Sequence, residues 1–322
     1  MDSKKKALLR LSEILSEASE LLKYLAAEET SLPTEDKAAS RENSNYSILT
    51  SEHAINNRYL NDTDSVDVVT YRLLERKGVT IRHIAQVQQD ADGLLVLAGV
   101  MGQKIDTIRP FLDQIKRSQS SRRRLFLDLS KQSQETISDI TLVANLANKA
   151  GLLPNYRYLR SPQYKLSSDA PVSPIAINFF TGQWLELYAL KVIRDIEEKS
   201  GAKLWPLSQV HIQLPNGDQF DLDLVFTVHR RLVWVEAKTT DDFERLLPKY
   251  KAISQLICEA PTDAILLWSN YRSGDSLLTT RGALARMTIC SPREFPAYVS
   301  SLLAEGNPRG ADDNELAQQD PE

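Results

Sequence analysis

Charged side chains interrupt two apolar segments in the C-terminal half of the 322-residue chain. Asp221 and Asp223 alternate with apolar residues in the first segment, and Glu236 and Lys238 alternate with apolar residues in the second. A tight turn joins the segments, so they are predicted to form a β-hairpin. Because every second side chain of a strand shares a face, each charged pair is expected to lie on one face of its strand. The predicted strands and turn are residues 220–226, 232–238 and 228–231.

Buried carboxylates and a buried ammonium would destabilise the fold by on the order of several kcal/mol if they had no partners. A hard divalent cation could compensate them, since Mg²⁺ or Mn²⁺ binds one or two carboxylates, keeps several waters and accepts phosphate oxygens. Lys238 would then lie beside the water that attacks phosphorus. The alternative is a salt-bridged hairpin, in which Asp223 pairs with Lys238 and Glu236 with Arg231. Spacing alone leaves both interpretations open.

A predicted helix over 183–196 precedes the hairpin and carries Glu186 among apolar residues. Together, these elements resemble the PD-(D/E)xK nuclease superfamily, which has a restriction-endonuclease-like fold. More closely, they resemble the nuclease domain of CRISPR ancillary nucleases. The resemblance covers about residues 175–304 and is carried by Thr181-Gly182-Gln183-Trp184-Leu185-Glu186-Leu187-Tyr188, Phe220-Asp221-Leu222-Asp223-Leu224-Val225 and Val235-Glu236-Ala237-Lys238-Thr239.

The resemblance implies a metal-dependent nuclease with a specific set of site residues. It makes Asp223 and Glu236 ligands of Mg²⁺ or Mn²⁺. Lys238 becomes the residue that orients the attacking water, and Glu186 becomes a supporting carboxylate. The implied substrate is nucleic acid, DNA in preference to RNA, and the implied setting is prokaryotic defence against foreign nucleic acid.

Two further residues are candidates for a supporting role. Asp221 stands where the resembled domain more often has glutamate, and Gln255 lies near the inner edge of a helix predicted over 241–258. The N-terminal half departs from the resembled proteins, which carry a Rossmann-like sensor for cyclic oligoadenylates. No strand-loop-helix signature of such a sensor occurs in this sequence, so activation by that messenger is not implied.

The net charge is −4, and the charged residues are unevenly distributed along the chain. Residues 305–322 contain six acidic residues and one arginine, so the rest of the chain is close to neutral and slightly positive. This acidic tail is predicted to be disordered. A basic cluster lies instead in the middle of the chain, where arginines and lysine interleaved with serines suit phosphate contacts, although a solvated loop is the alternative. The cluster consists of Lys116, Arg117, Arg122, Arg123 and Arg124.

The periodicity predicts an α/β protein whose C-terminal domain is a restriction-endonuclease-like mixed sheet flanked by helices. An α-rich or small α/β domain precedes it. At the N-terminus, apolar residues from Leu8 to Leu25 follow a heptad pattern over about three heptads, which favours either a homo-oligomeric coiled coil, dimeric or higher, or a helix docked on its own domain. The predicted divisions are the helix 1–30, a linker 31–64, the first domain 65–160, a hinge 161–175, the nuclease domain 176–304 and the tail 305–322.

Other classes of protein are disfavoured. The longest apolar run, Leu94–Met101, is too short for a bilayer span, and the N-terminus lacks a secretory signal, so a cytoplasmic protein without membrane contact is expected. Cys258 and Cys290 lack metal-ligand spacing and are expected in the core. The alternative to a nuclease is a non-catalytic protein that binds nucleic acid through a retained nuclease fold.

Overall fold

The computed structural model describes residues 68–84, 92–240, 244–271, 280 and 282–305, all within one compact unit that begins at Thr63. The predicted N-terminal helix, the whole linker and the acidic tail from residue 306 lie outside the described residues. Self-association through the Leu8 to Leu25 pattern therefore stays a prediction. None of the described helices is long and apolar enough to span a membrane.

Helices alternate with short strands in the first half of this unit, and their ends follow local sequence signals. Ser133 caps one helix by accepting a hydrogen bond from the Thr136 N–H at 3.1 Å, and Ser173 caps another from the Ala176 N–H at 3.2 Å. Gly201 ends the long helix that follows, with φ of 70°. The helices are α1 (Val68–Arg76), α2 (Asp92–Gln103), α3 (Ile105–Ser121), α4 (Gln134–Lys149), α5 (Pro174–Asn178), α6 (Trp184–Ser200), α7 (Leu247–Ile257) and α8 (Phe295–Glu305).

A six-stranded mixed sheet forms the centre of the fold, in the order β1-β5-β6-β7-β8-β9. The pairs from β1 to β7 are antiparallel, and β8 and β9 add in parallel to β7. A second sheet has three antiparallel strands in the order β2-β4-β3. The strands are β1 (Thr80–Ile84), β2 (Leu125–Asp128), β3 (Arg157–Leu159), β4 (Lys165–Ser168), β5 (Leu207–Gln213), β6 (Gln219–Val228), β7 (Arg231–Lys238), β8 (Ala264–Trp268) and β9 (Thr288–Cys290).

Helices cover both faces of the six-stranded sheet. Helices α2, α3, α4, α6 and α8 pack in one buried cluster with alternate residues of β6 to β8, while α1 and α7 pack with the other face. The predicted α/β class, with a mixed sheet flanked by helices, is confirmed. Cys258 and Cys290 are buried and unbridged, as expected for core residues.

The structure differs from the sequence prediction in how the two halves are joined. The segment 161–175 was expected to be a hinge between separate domains, but it contributes β4 to the three-stranded sheet. Strand β1 pairs with β5 across the expected boundary, and the buried cluster on one side of the sheet runs from Leu95 to Leu302. Both halves therefore share one core. Local periodicity does not reveal such long-range pairing.

We expect Gly102→Ala to lower thermal stability, because a methyl group here would overlap the Tyr188 ring where α2 packs on α6. The ring is buried, and its hydroxyl donates to the Pro292 carbonyl oxygen at 2.5 Å, so it has little room to move. Overpacking of this kind costs about 1–3 kcal/mol, a fall of several degrees in Tm by circular dichroism. The matched control is Gly93→Ala, whose new methyl group meets no atom within 4 Å and which should melt at or slightly above the wild-type temperature. An unchanged Tm for Gly102→Ala would contradict this packing.

Candidate functional site

The β6–β7 hairpin brings the predicted charged residues together. Its two-residue turn, His229 and Arg230, has φ of 47° and 65°, as a turn matched to the twist of the strands requires. The ladder between the strands runs from Val228↔Arg231 to Leu224↔Val235. Beyond that pair, a side chain replaces the backbone carbonyl as the hydrogen-bond acceptor. Asp223 Oδ2 accepts a hydrogen bond from the Ala237 N–H at 2.8 Å. Asp223 is thereby fixed beside the end of β7.

Glu236 lies at the centre of this group and is almost fully buried, with 3% of its surface exposed. Its Oε1 accepts hydrogen bonds from Lys238 Nζ at 2.7 Å and from the Tyr250 hydroxyl at 2.9 Å. Its Oε2 is also buried but has no hydrogen-bond partner among the described residues. A buried carboxylate oxygen without a partner is costly to the fold unless another group compensates it.

The first turn of α6 supplies the third carboxylate, Glu186. A π-helical segment, Phe179–Gln183, precedes this turn and joins it to α5. The Thr239 hydroxyl, just beyond β7, donates to the Thr181 carbonyl oxygen within the π segment. Such interruptions of a helix are frequent at functional sites, and here the hydrogen bond ties the start of α6 to the strand that carries Lys238.

Gln209 of β5 holds Glu186 and shows local backbone strain. Its Nε2 donates to Glu186 Oε2 at 3.0 Å. Its φ of 49° is unusual for a residue other than glycine, and the β5–β6 ladder skips the position where Gln209 faces Asp223. The strand face also changes here, because Leu222 packs with α1 and α7 whereas Leu224 packs with the helices of the opposite face. The strict alternation predicted for this strand is therefore wrong at Asp223.

Burial and mutual repulsion set the electrostatics of the site. Burial raises the pKa of Asp223 well above its ordinary value, and the nearby charges of Glu236 and Glu186 raise it further. Burial also raises the pKa of Glu236 and of Glu186, although hydrogen bonds and the charge of Lys238 oppose this effect. Without a cation, the folded protein thus holds protons on this group more tightly than an exposed carboxylate would.

Lys238 behaves in the opposite way. Burial alone would lower its pKa, but the charges of Glu236 and Asp223 and the hydrogen bond to Glu236 outweigh burial and raise it. About a quarter of the side chain remains exposed. The ammonium group therefore stays protonated at neutral pH and reaches solvent at the edge of the site.

The salt bridges differ from the alternative pairing considered for the hairpin. Lys238 is bonded to Glu236, and Arg231 pairs with the buried carboxylate of Asp263 at 3.1 Å. Arg231 thus stabilises the turn end of β7 against a neighbouring loop, far along the strand from Lys238. A simple pairing of Glu236 with Arg231 does not account for the hairpin charges.

The remaining predicted residues lie apart from this group. The Asp221 side chain is 75% exposed and pairs with His211. Gln255 is exposed on α7. In the basic cluster, Lys116 and Arg117 lie on α3, whereas the three arginines follow the helix and are exposed; Arg124 reaches Asp169 at 3.6 Å. The cluster lies at the protein surface. Its role in phosphate binding stays a prediction.

Sequence reasoning missed two residues that touch the site, Tyr250 and Gln209. Tyr250 has the position of a core residue in an apolar helix, and only its hydroxyl group could have signalled a polar partner in the interior. Gln209 lies in β5, a strand whose apolar residues do not alternate strictly. The polar residue at the point where the alternation breaks was the available signal of a site residue.

The residues present fit a small divalent cation. Across the described ranges, no group of three or more His, Cys, Asp and Glu side chains is arranged to hold a metal ion. Mg²⁺ and Mn²⁺ need fewer protein ligands, because they bind through one or two carboxylates and complete their coordination with water. The unpartnered Glu236 Oε2 and the neighbouring Asp223 carboxylate are the groups that could bind such an ion.

Comparisons with known proteins give structural likeness only. No protein-family model and no curated protein matches the sequence. Protein VC1899 from Vibrio cholerae is similar with a TM-score of 0.47 and 16% identity, over 78% of this chain and 65% of that one. Can2 from Sulfobacillus thermosulfidooxidans, in complex with cyclic tetra-adenylate, is similar with a TM-score of 0.48 and 15% identity, over 73% and 58%. The chain thus spans less than two thirds of either protein, and neither likeness assigns it an activity.

Proposed function

We propose that the protein is a metal-dependent nuclease that hydrolyses phosphodiester bonds of nucleic acid, with DNA as the expected substrate. One observation carries the proposal. The buried carboxylate of Glu236 has one oxygen without a hydrogen-bond partner, is bonded to a protonated lysine and interacts with the charge of a second carboxylate, Asp223. Three interacting carboxylates around one ammonium are not required for stability, since apolar residues of similar size would stabilise the folded state as well or better.

The side chains divide the work of hydrolysis between them. When bound at Asp223 and Glu236, Mg²⁺ or Mn²⁺ would supply Lewis-acid stabilisation of charge on the phosphate oxygens. Lys238 is protonated, so it donates hydrogen bonds to the attacking water or to a phosphate oxygen and does not act as a base. Glu186, whose pKa is raised by burial, receives the proton that the water loses as its oxygen bonds to phosphorus. The bond from phosphorus to the sugar oxygen breaks, and the departing oxygen takes a proton from solvent.

A substrate panel tests this function directly. Purified protein should convert plasmid or single-stranded DNA to shorter products with Mg²⁺ or Mn²⁺ and should not do so with EDTA, and RNA is included to establish the substrate class. Asp223→Asn should lower the rate by roughly a hundredfold or more, because it weakens the cation site. Asp221→Asn is the matched control, since it makes the same change on the same strand at an exposed position.

The panel also separates the nuclease from the alternative function. Nucleic-acid binding without products in any metal would favour a non-catalytic binding protein. Products that form equally fast with EDTA, or with Asp223→Asn, would reject the proposed site.

Gln209→Gly should raise stability while lowering activity. Glycine adopts the positive φ of this position without strain, so Tm should rise slightly despite the greater entropy of the unfolded chain. The same change removes the hydrogen bond to Glu186 and should lower the cleavage rate by about tenfold. Gln209→Ala removes the same bond but keeps the strain, so it should lose activity equally without the gain in Tm. Wild-type cleavage rates in both variants would show that Gln209 does not position Glu186.

A further inference from the structure

A cleft of about 230 Å³ lies next to the proposed cation site but does not include its carboxylates. One wall is α3, and the other is formed by the start of α6 and the residues that follow β7 and β8. Thr239 lines it directly after Lys238, and the Ser269 N–H bonds the Lys238 carbonyl oxygen at 2.9 Å. The cleft therefore begins one residue beyond Lys238 along the chain.

Lys116 is the cation best placed to bind a ligand in the cleft. It is half-buried on α3, and its Nζ lies 3.5 Å from the Thr239 carbonyl oxygen, a long contact that engages one of its three N–H donors. Arg109 also lines the cleft, but its guanidinium already donates to the Ser269 carbonyl oxygen at 2.7 Å and to Asn270 Oδ1 at 3.0 Å. Arg109 shapes the wall and adds positive charge, while Lys116 retains donors for an incoming anion.

The charge balance of the cleft fits one anionic group. Asp113, one turn before Lys116, is exposed on the same helix and offsets part of the positive charge. Beside the cleft, Asp106 pairs with Arg109 at 3.5 Å and with Arg293 at 4.0 Å. These five side chains together leave an excess of one positive charge, which a single phosphodiester with one negative charge matches. We infer that this cleft binds a backbone phosphate next to the scissile one, with Lys116 as its direct contact. The assignment of that phosphate to a substrate strand rests on the proposed nuclease function, whereas anion binding at Lys116 does not.

This inference separates Lys116 from the rest of the basic cluster. Arg117 is the next residue on α3 but is exposed and does not line the cleft, and Arg122 to Arg124 lie beyond the end of the helix. A ligand of two nucleotides held at Lys116 is too short to depend on all of them. Arg117→Ala therefore makes the same charge change as Lys116→Ala one position away, which provides a matched control.

The test is calorimetric titration of the full-length protein with the dinucleoside monophosphate TpT, whose only charge is one phosphodiester, and with inorganic phosphate, both in EDTA. We expect TpT to bind at least about tenfold more tightly than inorganic phosphate. Lys116→Ala should weaken TpT binding by roughly tenfold, as expected for the loss of a charge-assisted hydrogen bond, while Lys116→Arg and Arg117→Ala should bind like the wild type. Alanine at this helical position should not disturb folding, and unchanged Tm values would verify this.

Three results would overturn the inference. Equal binding of TpT by Lys116→Ala and wild type would show that Lys116 is not the contact. An equal loss in Arg117→Ala would show a general effect of surface charge. Equal affinities for inorganic phosphate and TpT would show a nonspecific anion site. Because EDTA excludes hydrolysis, the pattern can hold even if the substrate panel finds no cleavage, and failure of the proposed function remains distinguishable from failure of this subsite.

Discussion

Glu236→Gln should reduce the rate of phosphodiester cleavage by about a thousandfold and abolish Mn²⁺ binding, whereas Lys238→Met should lose cleavage but keep the ion. Glutamine removes the charge of the buried carboxylate, one of whose oxygens has no hydrogen-bond partner. Methionine removes the ammonium bonded to Glu236 and makes the electrostatic potential at the site more negative, so Mn²⁺ should bind as tightly as in the wild type or more tightly. Catalytic and electrostatic groups of this kind are typically worth factors of about 10² to 10³ in rate.

Electron paramagnetic resonance measures the Mn²⁺ affinity, and a gel assay measures cleavage. Lys251→Met serves as the matched control, since Lys251 is an exposed lysine on α7 that should tolerate the change in both assays. Weaker Mn²⁺ binding in Lys238→Met would mean that the lysine supports the site structurally. Undiminished Mn²⁺ binding in Glu236→Gln would place the ion elsewhere.

In the absence of metal, Asp223→Asn should melt at a higher temperature than the wild type, and the difference should grow as the pH rises from 5.5 to 8. Burial and the neighbouring carboxylates raise the pKa of Asp223 well above that of an exposed aspartate. Folding raises the pKa of this carboxyl group, so its protonated form stabilises the folded state. This contribution is complete at a pH below the pKa of the unfolded chain, near 4, and is lost as the pH rises through the pKa of the folded state. Asparagine does not titrate, so the variant does not lose stability in this way. Its side-chain oxygen can still accept the hydrogen bond from the Ala237 N–H.

The expected difference at pH 8 is several degrees, since about 1 kcal/mol corresponds to roughly 2–4 °C in a domain of this size. Mg²⁺ should raise the wild-type Tm more at pH 8 than at pH 5.5 and should raise the variant Tm little at either pH. Asp221→Asn should follow the wild-type curve. A variant that melts at or below the wild-type temperature at pH 8 would contradict the electrostatic description of the site.

The hairpin, its charged residues and the helix that precedes it could be predicted because their signals are local. Alternating apolar residues specify β6 and β7, and the resemblance to a known family pointed to Glu186, Asp223, Glu236 and Lys238. In the structure, the charges of these four side chains interact with one another. Their role in hydrolysis is what the variants above test.

Other parts of the fold depend on contacts that sequence periodicity does not encode. Strand β5 was missed because Leu207 and Val210 are three residues apart yet pack in the same buried cluster, and this irregular spacing at Gln209 breaks the alternation by which strands are recognised. Tyr250 looked like one apolar residue among several in α7, since its bond to Glu236 exists only after the helix packs on the sheet. The division at residues 161–175 was misjudged because proline and serine mark irregular chain but do not reveal whether the segments on either side share a core.

The pairing of β1 with β5 also has a consequence for protein synthesis. Thr80 hydrogen-bonds with a strand that the ribosome completes roughly 130 residues later, so β1 waits roughly 6 to 26 s for its partner at typical elongation rates. For most of that interval, α1 and α2 lack the sheet and the long helix on which they pack. We expect a truncated product that ends before Trp184 to lack both partners, to expose these apolar faces and so to aggregate more readily than the full chain.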